Sequence, residues 1–420
     1  MMVPISLSQE PLWRADQTGL GGPRQNLVRA FRLRGPLDRA ALEKSLGWVV
    51  SRHSSLRTSF LFREPPRRSA GRTPVLQIIS TEARVPLSFL DLRTEPIHAD
   101  RLVAEETRFA FDLTRGPLVR ASLFQTGDDD HILVVSFHRM VADRRSLEIV
   151  LAEWSEGYRV CLSGEPPEPA EAPKSYADFA IWQRQTLPEA VMKRQMAYWT
   201  GRLAGVLPVL ELPCDRSRAA ARPYRGAEHS ILLPRDLADE LRRLAQREDI
   251  PLSTLLLGAF TALLVRYTGE EDVLLATPAD LRERAGYQGA VGFFENTLLL
   301  RTDLSGNPSF REAVKRVRQT VAEALANRDA PFDKVMEAAQ PELYRSRVQP
   351  FQVSFEWRDA PPREFRMAGL QAIRLNSAAI AKRRFLFGSK ARRSGEGSAI
   401  TRRSSTPKPS PVSLRTINCS

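Results

Sequence analysis

Cysteine is scarce in this chain. Cys161, Cys214 and Cys419 are the only three in 420 residues. They are odd in number and far apart, which supports neither a disulfide framework nor a thiolate metal cluster. Such usage fits a reducing, cytoplasmic compartment. Long apolar runs are also missing. The longest, Leu255 to Val265, is interrupted by Gly258 and Thr261 and falls well short of the roughly 20 residues that span a bilayer. The opening Met-Met-Val-Pro-Ile-Ser-Leu-Ser-Gln-Glu lacks the basic start and apolar stretch of a secretory signal. A soluble protein, not exported and with no membrane partner, is the expectation. Chemical signatures are absent as well: no His-Glu-x-x-His helix, no paired Cys-x-x-Cys, no Gly-x-x-x-x-Gly-Lys-Ser/Thr loop and no Gly-x-Ser-x-Gly elbow. Metal-dependent hydrolysis, nucleotide hydrolysis and hydrolase-fold chemistry lose support, and no metal site is expected. Gly19, Gly21 and Gly22 follow no strand pattern, so they read as a loop and not as a dinucleotide cradle.

What is present is ordinary globular material. Apolar residues make up 42%, aromatics 8% and charged residues 26%, enough for a large core, and the length suggests two lobes. The net charge of +13 is unevenly spread. Residues 382–420 hold ten Lys or Arg against Glu396 alone, which leaves only +4 on the other 381 residues. Nucleic-acid binding through that tail would fall steeply with salt and vanish on its deletion. With so little excess charge elsewhere, no nucleic-acid partner is expected.

Phe31 and Leu33 alternate with Arg32 and Arg34 as in a strand, Gly35-Pro36 breaks the pattern, and Leu42, Leu46, Val49 and Val50 follow at helical spacing. His131 to Phe137 is an apolar run of strand length, and Leu147, Val150, Leu151, Trp154 and Tyr158 mark a helix face. Residues 138–144 form the loop between them. Pro166, Pro167, Pro169 and Pro173, mixed with Glu165, Glu168 and Glu171, read as a linker between lobes. Beyond it the pattern predicts a helix over Pro251 to Thr268, a short strand over Val273 to Ala276, and a helix through Phe310 to Leu325 capped by Ser309. A strand follows, in which Phe351, Val353, Phe355 and Trp357 alternate. Each lobe thus mixes helices and strands. The tail, rich in Ser, Arg, Gly and Pro, reads as disordered.

Several separated stretches, in order, resemble the condensation domains of non-ribosomal peptide synthetases. They are Ser6-Leu7-Ser8-Gln9-Glu10-Pro11-Leu12-Trp13, then Arg52-His53-Ser54-Ser55-Leu56-Arg57-Thr58-Ser59-Phe60, then Tyr176-Ala177-Asp178-Phe179-Ala180-Ile181-Trp182. Val291-Gly292-Phe293-Phe294-Glu295-Asn296-Thr297 and Asn327-Arg328-Asp329-Ala330-Pro331-Phe332-Asp333 complete the set. The resemblance covers about residues 4–381. It implies an α/β (α+β) fold of two chloramphenicol-acetyltransferase-like lobes, a V-shaped pseudo-dimer with a central tunnel. Domain bounds follow: an N-terminal lobe over 1–161, a Pro/Glu-rich linker over 162–175, a C-terminal lobe over 176–381 and a basic tail over 382–420.

The family signature H-H-x-x-x-D-G corresponds here to His138-Arg139-Met140-Val141-Ala142-Asp143-Arg144. In the family the second His faces the tunnel where a carrier-bound amine attacks a carrier-bound thioester. A guanidinium offers only donors and stays protonated, so Arg139 cannot take that proton. Loss of a general base typically costs about 10²–10⁴ in rate, and Arg144 adds bulk and charge where the family keeps Gly. His138 either takes over catalysis or is a buried structural group. The resemblance also implies a buried ion pair between Asp143 and Arg57. Asn296 stands either beside the tunnel or as a polar group closing a loop, and Glu295 replaces its usual apolar neighbour. Arg52 and His53 either share the family role or form a solvated helix end.

The implied activity is amide-bond formation between acyl or aminoacyl thioesters, an acyltransferase-type reaction impaired by Arg139. The chain itself binds no cofactor. Substrates arrive on phosphopantetheine arms of carrier proteins or from neighbouring modules. One family branch, the recruitment domain of glycopeptide synthetases, has H-R-x-x-x-D and binds haem monooxygenases, so a non-catalytic platform is the alternative. After Ala379-Ile380-Ala381-Lys382 the family continues with further strand and helix. Here the composition shifts abruptly at Arg383, as in a shifted or truncated reading frame, and an uncovered sheet edge is the expected consequence.

Overall fold

The computed structural model describes the chain apart from residues 20, 63–74, 83, 95–98, 166–172, 213–232, 285, 347, 359–364, 376–384 and 389–420. The N-terminal half contains β1 (Met2–Pro4), α1 (Glu10–Gln17), β2 (Asn26–Arg34), α2 (Arg39–Arg52), β3 (Thr58–Phe62), β4 (Val75–Ile79), β5 (Leu87–Asp91), α3 (Ala99–Thr107), β6 (Val119–Gly127), β7 (Asp130–His138) and α4 (Arg144–Leu162). The C-terminal half contains α5 (Tyr176–Ile181), α6 (Glu189–Arg202), α7 (Arg235–Arg247), α8 (Leu252–Thr268), β8 (Asp272–Asp280), β9 (Glu295–Asp303), α9 (Phe310–Ala326), α10 (Phe332–Ala339), α11 (Pro341–Ser346), β10 (Phe355–Arg358), β11 (Gln371–Leu375) and β12 (Phe385–Gly388). Among the described residues no single helix is long and apolar enough to cross a membrane.

The apolar run of β7 has no polar alternation because both its faces are buried. Leu133, Val135 and Phe137 pack with Leu42 and Leu46 of α2 and with Leu147, Val150 and Trp154 of α4. Ile132 and Val134 pack on the other side with Leu102 and Val103 of α3. A strand covered on both faces reads as continuous hydrophobe, which makes β7 the rigid spine of the sheet. The sheet order is β11, β2, β7, β6, β5. Its β2 and β7 pair antiparallel from Asn26 opposite His138 to Arg34 opposite Asp130. His138 therefore ends a fully paired strand. Asp143 caps α4 five residues later.

In the C-terminal half β8 and β9 pair antiparallel over their whole length, with Asp280 opposite Glu295 and Ala279 opposite Asn296. Helices α8 and α9 cross closely at Gly258, where a Cβ would lie 2.8 Å from Val314 Cγ2.

Three expectations need correction. The C-terminal lobe was expected to own residues 176–381, yet β11 pairs with β2 of the first sheet. Phe365 packs on Phe31 with ring centroids 4.4 Å apart, so the apolar surface over β2 draws this segment across. The strand expected over Phe351 to Trp357 is shorter, beginning only at Phe355. The bare edge expected after Lys382 is displaced, because β12 lies parallel to β10 from within the basic segment and becomes the outer strand of that pair. The rest of that segment, and Pro166, Pro167 and Pro169 of the linker, fall outside the described residues.

Gly292 gives a stability test. A Cβ there would fall 2.1 Å from Tyr176 Cδ2 and 2.8 Å from its Cβ, and Tyr176 is fixed by contacts with Phe179 and Phe294. Gly292→Ala should cost at least about 1–3 kcal/mol in urea denaturation. Gly47→Ala, inside α2 with nothing near the added methyl, should instead stabilise by up to about 1 kcal/mol.

Candidate functional site

The loop between β7 and α4 is held by one carboxylate. Asp143 is 1% exposed, and its Oδ1 accepts from the Ser146 backbone N–H at 2.8 Å, capping α4. Arg282, at the end of β8, donates through Nη1 to Oδ2 and through Nη2 to Oδ1, both at 2.7 Å. The Phe294 N–H donates to Oδ2 at 2.9 Å. Burial opposes the charged carboxylate, but Arg282 and the two amides outweigh it and hold Asp143 below the usual range. One side chain thus ties the β7–α4 loop to β8 and to the segment entering β9.

The expected pair of Asp143 with Arg57 is not formed. Arg57 lies at the end of the 3₁₀ turn that leads into β3, and its Nη1 donates to the Ser80 carbonyl. Arg282, brought in from the other half, takes the bidentate position instead. Its Nε also donates to the Ala290 carbonyl at 3.1 Å, so the guanidinium satisfies its donors without water. The neighbouring Arg52 and His53 are no solvated helix end. His53 is 3% exposed, and its Nε2 lies 2.8 Å from Glu153 Oε2, which also accepts from Arg52 Nε at 3.1 Å. They tie α2 to α4.

His138 is wholly buried. The Met140 N–H donates to its Nδ1 at 3.2 Å, which assigns the ring proton to Nε2, and among the described residues Nε2 has no hydrogen-bond partner. Burial, then the adjacent Arg139 charge, pushes its pKa down to about 4. The accepting nitrogen is occupied and the other carries a proton, so this imidazole is a poor base. Arg139 points across to the other half. Its Nη2 donates to Glu295 Oε2 at 2.6 Å, its guanidinium lies over the Phe293 ring at 5.2 Å, and each partner is about a fifth exposed. Arg139 and Glu295, singled out separately in the sequence, are therefore one feature: a charge pair between the β7–α4 loop and the start of β9.

The remaining motifs support this loop. Gln9 donates to the Met140 carbonyl at 2.7 Å. Ser6 Oγ shares a 2.7 Å hydrogen bond with the Tyr176 hydroxyl, which lies 2.7 Å from the Phe293 carbonyl. Asn296 takes the loop-closing alternative: its Nδ2 donates to the Arg328 and Ala330 carbonyls at 2.8 and 2.7 Å, and its Oδ1 accepts from Phe332 N at 3.1 Å. Asp329 accepts from Gln195 Nε2 at 2.7 Å. Arg144 opens α4, with Nε 3.8 Å from Glu356 Oε1. It lines a cavity of about 650 Å³ together with Asp143, Asp280, Arg282 and Glu295.

Two measurements check these assignments. Asp143→Ala leaves the buried Arg282 with only its longer contact to Asp280 and should cost up to about 3–5 kcal/mol, whereas adding Arg282→Met should recover part of that loss. The second is the acid limb. His138 has a folded pKa of about 4 against about 6.5 unfolded. Between those values the unfolded chain binds more protons, so stability rises with pH there. The unfolding free energy from urea titrations should fall on acidification from about pH 6.5 towards 4, by up to about 3 kcal/mol from this group. His131, also pushed down by burial, adds in the same direction.

A family model described as the condensation domain matches residues 1–379. A linear gramicidin synthase of Brevibacillus parabrevis is 38% identical over 381 residues, which is 90% of this chain but 7% of that protein. The chain therefore spans a small part of such curated relatives. A solved complex of the X-domain and OxyB from teicoplanin biosynthesis aligns with a TM-score of 0.73 and 29% identity over 89% of this chain and 80% of that one. The first condensation domain of the CDA synthetase aligns with a TM-score of 0.69 and 21% identity over 91% and 87%, a likeness of fold. With a mixed helix and sheet architecture of the chloramphenicol-acetyltransferase type and its motifs gathered round one loop, the chain belongs to the condensation-domain family of non-ribosomal peptide synthetases.

Proposed function

We propose that this chain is a condensation-type domain of a cytoplasmic peptide assembly line whose own amide-forming step is disabled. In this reading two lobes form a V around a tunnel, and carrier proteins or neighbouring modules present acyl and aminoacyl thioesters on phosphopantetheine arms. The observation that carries the impairment is the 2.6 Å contact between Arg139 and Glu295. A carrier-bound ammonium must lose a proton to attack a thioester. Arg139 cannot accept it, and His138 keeps its accepting nitrogen on the Met140 amide. Arg144 further crowds the entrance to α4, where the family has Gly.

A second reading has a specific observation behind it. The chain is 29% identical to an X-domain solved in complex with OxyB, and a non-catalytic platform that recruits a haem monooxygenase needs no base.

The deciding assay is amide formation between aminoacyl-loaded carrier proteins. The unaltered chain should be nearly silent. Arg139→His alone leaves Glu295 facing the new imidazole, which holds it protonated, so recovery should be small. Arg139→His with Glu295→Val and Arg144→Gly should raise the rate by about 10²–10⁴. Turnover by the unaltered chain equal to that of the triple variant would overturn the impairment. Silence from every folded variant, together with saturable binding of a haem monooxygenase, would favour the platform.

A further inference from the structure

Three polar side chains under α3 have hydrogen-bonding capacity that no neighbouring protein group meets. Alternation along the strands places Asn26 of β2, and Ser136 and His138 of β7, on the face where Val28, Ala30, Ile132 and Val134 pack with Leu102 and Val103 of α3. Asn26 is 5% exposed, Ser136 1% and His138 0%. Among the described residues Asn26 Oδ1, Ser136 Oγ and His138 Nε2 have no hydrogen-bond partner. Buried polar groups are nearly always satisfied, by protein or by ordered water.

The three atoms stand close together. Asn26 lies directly opposite His138 in the ladder. The Arg139 N–H donates to the Gln25 carbonyl at 2.9 Å, while the His138 N–H turns the other way, to the Leu118 carbonyl at 3.0 Å. Gln25 and Arg139 are therefore the hydrogen-bonded pair, and Asn26 and His138 are the closer kind, with Cβ atoms about 4.5–5.5 Å apart. Ser136 is the diagonal neighbour of Asn26 on the same face, within about 7–8 Å.

Their chemistry is complementary to one small guest. His138 Nδ1 accepts from the Met140 N–H at 3.2 Å, so Nε2 is a donor. Asn26 Nδ2 donates to the Phe109 carbonyl at 2.6 Å, so Oδ1 is an acceptor. Ser136 Oγ serves as either. The guest is neutral, because the one cation on this face, Arg120 opposite Ser136, is matched by Glu106 at 3.1 Å and stacks over Phe109 at 4.0 Å.

We infer that one internal water molecule is bound at the end of β7, accepting from His138 Nε2 and donating to Asn26 Oδ1 and Ser136 Oγ. Three hydrogen bonds are the usual number for a buried water. Its role is positioning. It holds the imidazole by the nitrogen opposite the one on Met140, and so steadies, through His138, the loop that carries Arg139. Such a site stands whether or not the domain makes amides.

The test is nuclear magnetic resonance of the full chain with isotope-labelled histidine, of which there are five. The His138 ring is recognised by its contacts with Phe111, whose ring centroid is 6.1 Å away. Its Nε2–H should show rotating-frame cross-relaxation to the water line, opposite in sign to chemical exchange. Ser136→Ala leaves the water two partners and should keep that cross-peak, whereas Ser136→Val fills the water's place and should abolish it. Loss of the cross-peak in Ser136→Ala would mean that His138 bonds the hydroxyl directly and would overturn the inference, as would its survival in folded Ser136→Val. A crystal structure of the unaltered chain decides the matter without a variant. A density peak within about 3.2 Å of all three atoms is expected, and its absence from well-defined density overturns the site.

Discussion

Everything at the centre of this molecule depends on keeping one buried carboxylate charged. Asp143 sits at the start of α4, where the unpaired amides of the first helical turn favour an anion, and Arg282 reaches it from the other half of the chain. A buried charge pair is weak evidence of stability, since hydrophobic replacements of equal volume often do as well. What the pair supplies is registry. Its donors come from the cap of α4, the end of β8 and the segment leading into β9, so these three elements cannot shift relative to one another without leaving a charge unsatisfied.

The other motifs make sense as buttresses of that registry. Ser6, Tyr176 and the Phe293 carbonyl form a relay of hydrogen bonds, and Gln9 holds the loop backbone at Met140. Tyr176 fits only because residue 292 has no side chain. Further out, Asn296 and Gln195 pin the segment from Arg328 to Phe332 through its backbone. Stretches far apart in the chain are thus close in function because each supplies polar partners that an otherwise apolar core lacks.

Much of this was legible in the sequence, and the failures have a common cause. Period and punctuation located β7, α4, α8 and α9, since each buries a continuous face and is bounded by a cap or a break. The loop from His138 to Arg144 followed from them. Arg282 was missed because a buried arginine has no sequence signature of its own: Asp280-Leu281-Arg282-Glu283-Arg284 reads as one more charged surface turn. Arg57, the partner that the resemblance implied for Asp143, lies elsewhere for a related reason: nothing in the sequence shows which guanidinium completes a long-range fork. The crossing of Phe365 and β11 to the first sheet was invisible too, because a five-residue strand has the same pattern whichever edge it joins.

The composition gains meaning at the seam between the halves. Only eight of the 62 basic residues are lysines, and among the described residues the cations paired across the seam, Arg14 to Asp333, Arg139 to Glu295, Arg144 to Glu356, Arg184 to Glu10 and Arg282 to Asp143, are all arginines. A planar guanidinium can hold a carboxylate with two donors while stacking on a ring, as Arg139 does on Phe293 and Arg282 on Phe294, and it never loses its proton. That permanence bears on the state of the site. A lone Arg139 would leave an unneutralised charge at a position only 18% exposed, and a lone Glu295 would do the same with opposite sign. Together they satisfy each other. Arg139 and Glu295 are therefore one unit of the seam, since changing either alone strands the other's charge beside the β7–α4 loop.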